Sequence, residues 1–290
     1  MPASPPQPSQ PIAVFDSGVG GLTVLHELLV ALPQEDFLYL GDSARFPYGD
    51  RSPAELEAFA CQIADALLER GAKLLVVACN SATAAALPAL QRHVAAGPRP
   101  VDVIGVVGPE SNLAVASTRN GRIGLLATPA TVASGAYEHA VLAADPLVRL
   151  ESVPCPELAP IIQHDVTLTE RVVDIVRSYC VPLRAAAVDT VILGCTHYPL
   201  VRPMLQRILG PDVGFVTSGH AIARRVEHAL ATRGLGREGA GEGRYDFLCT
   251  GDAAAFGAIG TRFLQLPIPG VEHVELPPAH DHDPTTEALA

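Results

Sequence analysis

The sequence predicts an α/β fold of two pseudo-symmetric parallel-sheet domains with a site in the cleft between them. Three observations predict it. Short apolar runs alternate with helical patterns along nearly the whole chain. Two segments of the first half are echoed in the second. Polar residues gather where strands should hand over to helices.

The strands are read first. Ile12–Phe15, Phe37–Leu40, Leu74–Ala78, Val103–Val106, Ile123–Ala127, Thr190–Leu193, Gly214–Val216 and Phe247–Cys249 are short apolar runs. Between them, Pro53–Arg70 reads as a helix. Ser52 can cap it, Pro53 suits its first position, Glu55 completes a capping box, and Gly71 stops it. Leu56, Phe59, Ala60, Ile63 and Leu67 form its apolar stripe. Thr167 and Glu170 are expected to open a second capped helix carrying Val172, Val173, Ile175, Val176 and Tyr179. The echo pairs Val76–Ser81 with Ile192–His197, and Ile12–Ser17 with Ile123–Thr128. The first domain is expected over residues 12–105 with a return over 214–276, and the second over 106–213. Residues 1–11 read as a flexible leader, and residues 277–290 as a disordered tail whose His280 and His282 are solvated.

Composition narrows the function. The chain has 290 residues, 48% hydrophobic and 18% charged, enough for a sizeable core. A net charge of -11 makes phosphate backbones and anionic lipid poor partners. No run is long enough to cross a bilayer and no targeting segment stands out, so a cytoplasmic protein is expected. None of the six cysteines forms a Cys-x-x-Cys pair. Cys61, Cys180 and Cys249 read as buried apolar residues. Lys73 is the single lysine, and it lies at the start of its strand. Pyridoxal chemistry needs a lysine at the site, so that cofactor is not expected.

In parallel sheets, ligands collect at the carboxyl ends of strands. The strand assignments put there Asp16 and Ser17; the loop Gly41–Gly49; Cys79, Asn80 and Ser81; Thr128; and Cys195, Thr196 and His197. The glycine-rich Asp16–Gly21 lacks the spacing and lysine of a phosphate loop, and its aspartate would repel phosphate. Cys79 and Cys195 at helix-starting junctions predict lowered thiol pKa values. Cys195 with His197 leaves open a hydrolase pair, but zinc would need a fuller ligand set. Arg45 is read as tying its loop through Asp42. His26, His93, His139 and His228 are read as structural.

At these residues the chain resembles the glutamate racemases of bacterial cell-wall synthesis. The matching segments are Ala13–Val24, Gly41–Gly49, Ala78–Thr83 and Leu193–Pro199, with Thr128–Tyr137 and Thr250–Asp252 as weaker matches. The resemblance runs in order from about Ile12 to Phe263. It implies racemisation of glutamate without any cofactor, supplying D-glutamate for peptidoglycan, by a homodimer. Cys79 would deprotonate D-glutamate and Cys195 L-glutamate, with Asp16 and His197 assisting. Asp16, Ser17, Pro47, Tyr48, Gly49, Asn80, Ser81, Thr128, Thr131, Thr196 and His197 would bind substrate, and no metal is expected. The chain departs from the family at Ser81, where threonine is usual, and at Gln163, where glutamate is usual; Glu157 is a conceivable substitute for that carboxylate. The alternatives are a racemase of another acid such as aspartate, an idle amino-acid-binding protein, and a cysteine hydrolase.

Overall fold

The computed structural model describes residues 5–164, 169–239 and 241–276. In chain order the elements are β1 (Ile12–Asp16), α1 (Leu22–Ala31), β2 (Phe37–Gly41), α2 (Pro53–Glu69), β3 (Leu74–Val77), α3 (Asn80–Ala96), β4 (Asp102–Gly105) and α4 (Val107–Ser117). There follow β5 (Arg122–Ala127), α5 (Pro129–Ala133), α6 (Ala136–Ala144), β6 (Arg149–Pro154), α7 (Leu158–His164), α8 (Glu170–Ala185), β7 (Thr190–Gly194) and α9 (Arg202–Leu209). The chain closes with β8 (Gly214–Val216), α10 (Ser218–Arg233), β9 (Tyr245–Cys249), α11 (Ala253–Leu264) and β10 (Glu272–His273).

Two all-parallel sheets result. The first has the order β10-β9-β2-β1-β3-β4, and the second β6-β5-β7-β8. Strands buried on both faces read as unbroken apolar runs, which is why most were visible in the sequence. Along β1, Ile12 and Val14 join a core that reaches the second sheet, while Ala13 and Phe15 face α2 and α3. The repeat suspected from sequence has a topological counterpart. Counting strands as they occur in each half, both sheets contain the order second-first-third-fourth, and β3 and β7, which lead to Cys79 and Cys195, are both third.

Several expectations change. Gly214–Val216 pairs with β7 and lies in the second sheet, not the first, because its hydrogen-bonding edge is the one β7 leaves open. β6 was missed because it is an edge strand with charged residues at Arg149 and Glu151 and no apolar run; β10 was missed because it has two residues. Thr169 caps α8, its side chain accepting from Val172 N at 3.3 Å, and Glu170 is already the first helical residue. Thr167 and residues 277–290 lie outside the described residues. The end of the leader is packed rather than free. Pro8 O accepts from Lys73 Nζ at 2.7 Å, and Pro11 O from Lys73 N at 2.9 Å. The α2 expectation holds in detail, with a capping box between Ser52 and Glu55 and a positive φ of 87° at Gly71. Among the described residues, no helix is long and apolar enough to cross a membrane.

Candidate active site

The carboxyl ends of β1, β3, β5 and β7 converge on a cavity between the two sheets. Ser17, Phe46, Pro47, Tyr48, Gly49, Cys79, Asn80, Ser81, Thr128, Cys195, Thr196 and His197 line it. Of the expected site residues, Asp16 and Thr131 stand behind the wall: both are fully buried and neither lines the cavity. Phe46, Asp50, Pro129, Pro156, Ala159 and Pro160 complete the lining and were not singled out beforehand. They are mostly apolar residues, which carry no chemical signal in a sequence.

Cys79 sits at the N-cap of α3, its Sγ accepting from Ala82 N at 3.5 Å. Cys195 follows β7 into a short 3-10 turn, Tyr198–Val201, rather than directly into an α-helix. The expected lowering of the thiol pKa values is overturned. Burial pushes Cys79 up to about 12, with the Asp16 carboxylate adding to the rise, and pushes Cys195 well above the usual thiol range. Helix and turn amides do pull both values down, but the sulfurs are almost wholly removed from water, and desolvation of the thiolate wins.

The Asp16 carboxylate raises the pKa of both thiols, while His197 approaches Cys195. Asp16 accepts from Gly18 N at 3.1 Å and, across the sheets, from the Thr196 hydroxyl at 3.3 Å. His197 Nδ1 is 3.8 Å from Cys195 Sγ. Its Nε2 is 2.9 Å from Gln163 Oε1. An amide oxygen only accepts, so His197 carries its proton on Nε2 and presents Nδ1 to the thiol as an acceptor. Burial, aided by the Arg262 guanidinium, lowers the His197 pKa to about 3, so the ring is neutral at ordinary pH. The ring is held between Phe46 and Phe263, with centroids at 5.5 and 5.2 Å. Gln163 thus occupies a working position beside the histidine. Glu157 is exposed, pairs loosely with Arg171 at 3.9 Å and does not line the cavity.

The glycines of the Asp16–Gly21 loop have a packing reason. A Cβ on Gly20 would lie 2.5 Å from His197 Cε1 and nearer still to Nδ1 and to Thr196 Oγ1. The loop is glycine there so that the second sheet's residues can approach its backbone. Elsewhere Asp42 gathers its own loop: the Tyr48 hydroxyl, Arg45 Nε at 2.6 Å and the Thr250 hydroxyl at 2.7 Å all donate to it. Ser81, Thr128 and Thr131 form a triangle of hydroxyls with sides of 2.9, 3.0 and 3.1 Å, so the methyl that serine lacks is not needed to reach both threonines. Lys73 is at the amino end of β3, away from Cys79, with Glu35 Oε2 at 2.5 Å. Among the described residues, no group of three or more His, Cys, Asp or Glu side chains could hold a metal ion.

Burial raises the Asp16 pKa to about 6 from 3.8. The sign follows from linkage. Between those values the unfolded chain has lost its proton while the folded chain keeps it, so this group's contribution to stability falls as pH rises, by on the order of 3 kcal/mol when complete. Asp16→Asn should therefore gain stability relative to the parent on going from pH 4 to pH 8. Urea midpoints at the two pH values measure it, and an unchanged difference would refute the shift.

The comparisons agree with this geometry. Residues 20–226 match the family model described as Asp/Glu/Hydantoin racemase. A glutamate racemase of Bacillus cereus is 38% identical over 265 residues, covering 91% of this chain and 97% of that one. The crystal structure of a glutamate racemase isoform from Bacillus anthracis superposes with a TM-score of 0.87 at 37% identity, covering 92% of this chain and 98% of the other. That of the Francisella tularensis glutamate racemase in complex with D-glutamate does so with a TM-score of 0.85 at 31% identity, with the same coverage of 92% and 98%. Two sheets of matching order, a shared cavity with a cysteine from each, and these likenesses lead to one statement: the chain belongs to the Asp/Glu/Hydantoin racemase family and is an amino-acid racemase, an isomerase.

Proposed function

We propose that the chain interconverts L- and D-glutamate with Cys79 and Cys195 as opposed bases, without a cofactor, and so supplies D-glutamate for peptidoglycan in the cytoplasm as a homodimer. The observation that carries the reading is that the two cysteines follow equivalent strands of two sheets and line one cavity. The D-glutamate complex of the Francisella tularensis relative supports the choice of substrate.

In this mechanism one thiolate takes the α-proton and the other thiol delivers a proton to the opposite face. Cys79 deprotonates D-glutamate, with Asp16 accepting the thiol proton beforehand. Cys195 deprotonates L-glutamate, with His197 Nδ1 as its proton acceptor. The raised pKa values make each thiolate, once formed, a stronger base toward a weakly acidic carbon. The substrate ammonium brings a positive charge into the cavity and offsets the desolvation of the thiolate. Ser17, Pro47, Tyr48, Gly49, Asn80, Ser81, Thr128 and Thr196 hold the substrate, while Thr131 supports Ser81 and Thr128 from behind.

The test is incubation of each glutamate enantiomer in deuterated water. Deuterium should appear at the α-carbon of the product enantiomer before it appears in recovered substrate, because the delivering thiol has exchanged with solvent. Equal early labelling of substrate and product would point to a single base, and absence of racemisation would end the glutamate reading. Aspartate, run in parallel, decides the nearest alternative substrate.

A further inference from the structure

Glu110 on α4 is fully buried, and among the described residues no Lys, Arg or His forms a salt bridge with it. A lone buried carboxylate needs donors. Three side chains supply them: Asn80 Nδ2 of α3 at 3.0 Å, the Tyr137 hydroxyl of α6 and the Ser218 hydroxyl of α10. Four helices therefore meet at one acidic group just behind the cavity wall.

The arrangement fixes Asn80. An ionised carboxylate only accepts, so the amide must face it with nitrogen. The second amide hydrogen goes to Tyr137 Oη at 2.7 Å, which uses both. Asn80 Oδ1 is then on the other side of the amide, buried and without a partner, in a residue that lines the cavity beside Cys79. Glutamate carries two carboxylates, which accept, and one ammonium, which alone donates. We propose that Glu110 is a positioning residue: with Tyr137 and Ser218 it locks the Asn80 amide so that Oδ1 receives the substrate ammonium. This rests on the glutamate reading above. Burial raises the Glu110 pKa to about 7, so the measurements belong at pH 8, where it is ionised.

The experiment compares the parent, Glu110→Gln, Glu110→Leu and Tyr137→Phe. Each is assayed for racemisation of glutamate and for competitive inhibition by glutarate, the same dicarboxylate without the amino group. Glu110→Leu should raise KM for glutamate about tenfold, the worth of one hydrogen bond to a charged group, with the glutarate inhibition constant nearly unchanged. Glu110→Gln should keep KM near that of the parent, since its oxygen still accepts from Asn80 and its nitrogen can donate to Ser218. Should Glu110→Leu fail to fold, Tyr137→Phe removes a single hydroxyl and should still raise KM for glutamate selectively. A flat KM in the folded variants, or equal weakening of glutamate and glutarate, overturns the proposal. A parent that does not racemise glutamate fails the substrate assignment instead.

Discussion

Replacing Cys79 or Cys195 by serine will lower racemisation about a thousandfold or more in each single variant, with folding intact. Serine preserves the shape of the side chain but replaces a thiol by a far weaker acid, and its alkoxide is not accessible in a buried site. Both sulfurs are nearly sealed from water, at 5% and 7% exposure, so no solvent molecule stands ready to take over either transfer. Each role is indispensable because the two faces of the α-carbon are served separately. Initial rates from L- and from D-glutamate, read by chiral chromatography, measure the effect. Near-parental turnover in either variant would show that one group serves both faces.

The second large effect is expected from a residue with no side chain. Gly20→Ala places a methyl group where His197 and Thr196 now sit. His197 cannot retreat easily, because Phe46 and Phe263 flank its ring and Gln163 holds its Nε2. Relief must come from the loop backbone or from movement of the second sheet's residues, and either displaces Nδ1 from Cys195. A shift of about 1 Å at such a site costs on the order of a hundredfold in rate, and overpacking of this kind costs about 1–3 kcal/mol of stability. Turnover and urea unfolding of the same preparation check both numbers. Rates within a few-fold of the parent would mean that the loop yields without disturbing the histidine.

The fold was legible wherever burial is two-sided. β1, β3, β5 and β7 are apolar throughout most of their length, and the residues at their ends name the cavity's chemistry. β6 was not legible, since an edge strand with Arg149 and Glu151 satisfies no period that would set it apart from a loop. The thiol pKa values were read with the wrong sign because junction amides can be inferred from sequence while depth of burial cannot. Glu110 gave no signal: its three donors lie on separate helices, 30, 27 and 108 positions away in the chain. Gln163 was legible as a departure from the family, but its approach to His197 Nε2 is a tertiary fact.

The unlike contacts of the two sulfurs, a helix amide 3.5 Å from Cys79 and an imidazole nitrogen 3.8 Å from Cys195, have a thermodynamic corollary. Mirror-image molecules have identical free energies in an achiral solvent, so the equilibrium constant between them is unity. The Haldane relation then forces kcat/KM to be the same in both directions, however lopsided the machinery. The chemical inequality of the two flanks can show itself only as compensating differences, a faster turnover in one direction balanced by weaker saturation in that direction.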